Sequence, residues 1–144
     1  MISGMRRGTR RVVTRLVEVA CPPDDLAGVK AAVVDDLIAH VEILPSAARR
    51  GIGPVLRLFD QLARIRNGGR RFVRLDDARA RAYLEHVLLD RTGPVALIVR
   101  LVKGLAALCY YEQPAVTARL GYDPASYVAQ VTARRRATYG LDVT

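Results

Sequence analysis

The stretch Gly93-Pro94-Val95-Ala-Leu-Ile-Val-Arg-Leu-Val-Lys-Gly-Leu-Ala-Ala-Leu-Cys-Tyr-Tyr111-Glu112-Gln113-Pro114 decides the fold. Pro94 stands where a first helical turn accepts proline, and the run that follows is hydrophobic nearly all round, as suits a helix surrounded by other helices. Arg100 and Lys103 fall in its middle, three residues apart and on one face. At the centre of a bilayer each charge would cost about 2.5–3.5 kcal/mol, so the run reads as a core helix over about 94–111 rather than a membrane span. The face that carries both charges is expected to reach solvent or an acidic partner. Gly104, Ala106 and Ala107 leave room for a neighbouring helix, and close packing is one reason to keep a glycine that costs up to ~1 kcal/mol in a helix interior.

Upstream, the chain reads as a series of amphipathic helices. Ala78 to Leu89 offers Ala82, Leu84, Val87 and Leu88 to a core, with Asp76 or Asp77 as its cap and Phe72 and Leu75 anchoring the loop before it. Val55, Leu58, Phe59, Leu62 and Ile65 form another apolar stripe, with Arg57, Asp60, Gln61 and Arg64 outward and Asn67-Gly68-Gly69 as the stop. Gly51, Gly53 and Pro54 are expected to break any helix opened by Ser46 as N-cap. Leu26, Val29, Val33, Leu37, Val41 and Leu44 share one face behind the candidate caps Asp24 and Asp25. The first helix, with Thr9 as its cap, places Val12, Val13, Leu16, Val17 and Ala20 together and stops at Cys21-Pro22-Pro23.

Downstream, Glu112-Gln113-Pro114 ends the main helix, and Ala115 to Leu120 makes one or two turns closed by Gly121. Residues 125–139 read as a further helix, around which Arg134, Arg135 and Arg136 form a collar rather than a stripe. The fold class is therefore all-α: a compact bundle of about five to six helices around a central hydrophobic one. Residues 1–8 read as a flexible N-terminus, 9–124 as the helical domain and 125–144 as a basic C-terminal helix or tail.

A length of 144 residues with 51% hydrophobic and 26% charged residues supports one globular core. The formal charge of +9 invites an acidic or nucleic-acid partner. Lys30 and Lys103 are the only lysines, and the arginines are scattered rather than gathered, which weighs against nucleic acid as the first reading. Cys21 and Cys109 show no metal or redox spacing and read as buried thiols of a reducing compartment. No phosphate loop, dinucleotide fingerprint, nucleophile elbow or HExxH occurs, so no catalytic, cofactor or metal residue is assigned. Asp36 and His40, one turn apart, are the nearest approach to an acid/base pair, and a simple i,i+4 hydrogen bond is the favoured account.

From Phe72 onward the order of features is familiar. Phe72-Val73-Arg74-Leu75-Asp76-Asp77, followed by Cys109-Tyr110-Tyr111-Glu112-Gln113-Pro114-Ala115-Val116 and Leu120-Gly121-Tyr122-Asp123-Pro124, resembles the gluconate 2-dehydrogenase subunit 3 family over roughly residues 30–124. The resemblance implies an α-helical, non-catalytic small subunit that stabilises or matures a larger FAD-dependent dehydrogenase of the glucose-methanol-choline type. FAD would then belong to the partner and not to this chain. The arginine-rich start lacks the apolar run of an export signal, so a cytoplasmic complex is expected.

Tyr110, Tyr111, Gln113, Pro114, Leu120, Gly121, Tyr122 and Asp123 are the candidate partner-binding residues, joined by Arg100 and Lys103. Tyrosines suit an interface because each offers a broad apolar ring and one hydrogen-bonding end. Tyr110 and Tyr122 have a competing role as caps on the protein's own core. A basic helical nucleic-acid-binding or regulatory module, using Arg134 to Arg136 or the N-terminal arginines, is the alternative function. A stand-alone helical enzyme using Asp36 and His40 is a third.

Overall fold

A computed structural model describes residues 7–22, 26–121 and 123–140. Among these residues the chain is all-α, with helices α1 (Arg7–Ala20), α2 (Val29–Ile43), α3 (Ser46–Arg66), α4 (Asp77–Leu89), α5 (Pro94–Glu112), α6 (Pro114–Leu120) and α7 (Pro124–Tyr139). A 3-10 turn, Phe72–Arg74, links α3 to α4. The expected caps Asp24 and Asp25, the candidate Tyr122 and the terminal residues 1–6 and 141–144 lie outside the described residues.

α5 is central because it packs on α1, α2, α3, α4 and α6. It does so with one face only: Ala96, Val99, Val102, Ala106, Cys109 and Tyr110 are buried. Apart from Tyr110 these are small side chains, so the axes of neighbouring helices can come close, and the larger core groups are supplied from elsewhere. Leu16, Leu37, Ile38, Leu56, Phe59 and Phe72 are among the fully buried side chains that fill the space. The Phe59 and Phe72 rings lie 4.7 Å apart, and Tyr83 stacks 5.0 Å from Phe59 while its hydroxyl donates to Phe59 O at 2.8 Å. Burial raises the Tyr83 phenol to about 12, with the nearby Asp60 charge adding to the shift.

Several expectations need correction. α3 runs unbroken through Gly51, Gly53 and Pro54. The clash that a proline imposes on its predecessor involves that residue's Cβ, and here the predecessor is glycine; Ile52 and Leu56, buried on either side, hold both halves against the core. Pro45, not Ser46, occupies the N-cap position.

The buried face of α3 is Ile52, Leu56, Phe59, Asp60 and Ala63, which leaves Leu58, Leu62 and Ile65 exposed and Asp60 inside. Asp60 is satisfied there by the Val73 backbone N–H at 3.1 Å, so the 3-10 turn fixes which face of α3 turns inward. In α4, Ala80 and Tyr83 are buried with Leu84, Val87 and Leu88 are half-buried, and Ala82 is exposed.

α1 begins at Arg7, so Thr9 is a buried residue within the helix rather than its cap. α2 begins at Val29, because Gly28 takes a positive φ of 81° that only glycine adopts freely; Leu26 therefore precedes the helix, half-buried against the core.

Other signals read from the sequence hold. Asp76 caps α4 by accepting from Arg79 N–H, Gly68 and Gly69 follow α3 with positive φ, and Gly121 closes α6 at φ 62°. Arg15 bonds Glu18, Asp77 and Leu75 O, tying α1 to the start of α4. Desolvation opposes its charge, yet these partners outweigh it and hold its pKa above the ordinary arginine value.

Candidate functional site

α5 is not enclosed, which corrects the expectation of a helix surrounded on all sides. Its outer face carries Leu97, Leu101, Leu108 and Tyr111, exposed by 50%, 43%, 49% and 54%. With Gly104 between them, these positions recur at spacings of four, three, four and three, which keeps one straight stripe on a helix. A Cβ at Gly104 would meet nothing within 4 Å, so among the described residues no helix uses the close approach that the residue permits.

A second apolar row lies on α3 and shares a concavity with the first turn of α5. Leu58, Leu62 and Ile65 on α3 are exposed, and Leu62 and Ile65 line a concavity of about 330 Å³ with Tyr83, Val87, Val95 and Ala96. Arg66, His86, Asp90, Gly93 and Pro94 complete its lining. The turn that shapes it is tightly specified: Asp90 Oδ1 accepts from Thr92 N–H and Gly93 N–H at 3.0 and 3.1 Å, and a Cβ at Gly93 would overlap the Asp90 carboxylate. Those backbone donors, Thr92 first, hold the Asp90 carboxyl below its usual range. Arg100 donates to Leu88 O and Asp90 O, both at 3.1 Å, and so secures the end of α4 beside the stripe.

At the other end of α5 a polar latch fixes the α5–α6 corner. Gln113 Nε2 donates to Asp36 Oδ2 at 2.7 Å and to Cys109 O at 3.2 Å, tying the corner to α2. His40 Nδ1–H donates to the Asp36 backbone carbonyl at 2.8 Å and lies 3.8 Å from Cys109 Sγ. Asp36 and His40 are thus joined by the i,i+4 bond and not through the carboxylate, whose partner is Gln113. Burial raises the Cys109 thiol pKa, and Asp36 and Glu112 raise it further, so the thiolate a nucleophile requires is disfavoured. Cys21 and Cys109 are both buried and form no disulfide. Among the described residues no cluster of three or more His, Cys, Asp or Glu could hold a metal.

The candidate partner residues divide into two groups. Tyr111, Pro114, Leu120, Gly121, Asp123 and Arg100 are exposed. Tyr110 is buried and meets Tyr111 edge-on at 5.3 Å, so it braces the corner from within; Gln113 and Lys103 are half-buried. Asp123 caps α7 by accepting from Ala125 N–H and Ser126 N–H. Leu97, Leu101 and Leu108, with Leu58, Leu62 and Ile65, are the surface groups that the sequence reading missed. In α5 the signal was absent, since a helix apolar all round gives no clue to its outer face. Comparison with protein-family models, curated proteins and solved structures finds no match to this chain.

Proposed function

We propose that this chain is a non-catalytic binding subunit that docks on a larger protein through the outer face of α5 and the adjoining α3 row. The observation that carries this is the stripe Leu97, Leu101, Leu108 and Tyr111, left open on a helix whose opposite face is fully packed. Scattered exposed leucines need no explanation, but an aligned apolar stripe beside an apolar concavity is the pattern of an interaction surface. The net charge of +9 sets copies of the chain against one another, so the occupant is a different protein with an acidic rim.

The resemblance to the gluconate 2-dehydrogenase subunit 3 family supplies the partner class: a large FAD-dependent dehydrogenase, with FAD bound there. In this reading Arg100 and Lys103 lie in the middle of a helix that a protein covers and not in a bilayer, and the complex is cytoplasmic. α5 is long and apolar enough to cross a membrane by length and composition, and its packing on five neighbours supports the soluble role.

Coexpression with the FAD-dependent oxidoreductases encoded beside this chain tests the proposal. A stable complex of fixed stoichiometry is expected, lost in Leu101→Asp and Leu108→Asp variants that remain folded. Failure of every such pair to copurify, or retention of the complex by both variants, would remove it.

A further inference from the structure

A second site lies away from α5, in a groove between α1 and the 3-10 turn. It measures about 830 Å³ and is lined by Arg7, Gly8, Arg10, Arg11, Thr14, Arg15, Glu18, Val73 and Arg74. Five guanidinium groups thus face a lining with one carboxylate. Arg15 holds that carboxylate, Glu18, at 3.0 Å and also Asp77 at 2.8 Å, while Arg10 bonds Asp35 at 2.5 Å. Arg7, Arg11 and Arg74 have no acidic partner among the described residues. Arg7 and Arg11 stand one turn apart on α1, and Arg74 is on the 3-10 turn that borders the groove.

Guanidinium is a planar fork that matches phosphate oxygens two at a time, and three uncommitted forks along one groove suit successive phosphates of a chain. No aromatic ring lines the groove, so it offers nothing on which bases could stack, and the uncommitted guanidinium groups are left to contact the backbone. We infer that the α1 groove binds the phosphate backbone of a nucleic-acid strand, without stacking on its bases, through Arg7, Arg11 and Arg74. This site is separate from the apolar face of α5, so a Leu101→Asp variant keeps it.

Fluorescence anisotropy of the full chain with a labelled 20-nucleotide oligothymidylate, titrated across salt concentrations, tests the inference. Three neutralised phosphates predict log K falling against log salt with a slope of about −2. An Arg11→Ala/Arg74→Ala double variant should bind at least about tenfold more weakly at low salt, with the slope reduced to about −0.7. Changing Arg134, Arg135 and Arg136 together to alanine should leave both quantities unchanged.

No binding at low salt would overturn the assignment, as would an undiminished affinity in the double variant. Equal binding of polyglutamate would show a site for acidic polypeptide instead. Saturation by ATP or inorganic phosphate at the oligonucleotide's own affinity would reduce it to a small-anion site and overturn the polymer. Arg11 and Arg74 are exposed, and an Arg11→Lys/Arg74→Lys variant, which keeps the charge, should retain the slope; its loss would also overturn the inference.

Discussion

The two faces of α5 invert the usual relation between size and burial. Its inner face is Ala96, Val99, Val102, Ala106 and Cys109, small groups at or below 1% exposure, followed by Tyr110 at the end of the helix. Its outer face is leucine and tyrosine, each around half exposed. The inner face is small because five other helices must reach it, and each approaches more closely over alanine or valine than over leucine. The large groups outside contribute little to this chain's own core. A helix can therefore be the hub of a fold and still leave its largest apolar side chains half exposed.

Opposite effects at neighbouring positions would break that comparison most directly. Val102→Asp buries an unpaired charge where nothing answers it, at a cost of at least about 3–5 kcal/mol against a total stability of about 5–15 kcal/mol. Circular dichroism should show the cooperative unfolding transition lost or displaced far downward. Leu101→Asp, one residue away, should leave stability within about 1 kcal/mol of the parent while abolishing partner capture. Similar destabilisation in both variants would mean that the outer face belongs to the core.

An intermediate effect concerns the aromatic cluster beneath α3. Tyr83 keeps its proton to about pH 12 when folded, whereas an unfolded tyrosine loses it near pH 10. The unfolded chain therefore binds fewer protons between those values, and the Tyr83 contribution, fully present below pH 10, should fall as pH rises through that window. Denaturation midpoints measured at pH 9 and pH 11 should show the decline. Tyr83→Phe should flatten it while losing the bond to Phe59 O, worth about 0.5–1.5 kcal/mol.

The smallest change sharpens the comparison. Gly104→Ala adds a methyl that meets nothing among the described residues and restores helix propensity, so it should stabilise the isolated protein by about 0.5–1 kcal/mol in thermal unfolding. If a partner helix crosses the stripe at this point, the same methyl should weaken the complex. Stabilisation without any effect on docking would place the contact elsewhere on the stripe.

Much of this architecture is written locally. The proline at 94, the break at Gln113-Pro114, the Asp76 cap and the glycines after α3 and α6 act within a few residues of themselves, through fixed φ, missing donors or permitted positive φ. Those effects need no tertiary partner, and the helices duly start and stop there. The caps Ser46 and Thr9 misled because a capping residue is recognised by its side chain, whereas Pro45 takes the N-cap position of α3 and Thr9 lies within α1. Pro54 misled for a related reason: a glycine before it and two buried neighbours offset its local penalty.

By itself the sequence determined an all-α chain with one dominant apolar helix and no recognisable catalytic motif, because periodicity and caps are short-range properties. Which side of that helix faces inward was decided only by the tertiary structure. Leu58 and Leu56, like Leu101 and Val102, are equally apolar in a list, and only the packing of α1 to α4 distinguishes them. The same packing brought Arg7, Arg11 and Arg74 to one groove although more than 60 residues of chain separate the first two from the third, a proximity that charge counting along the sequence had no means to register.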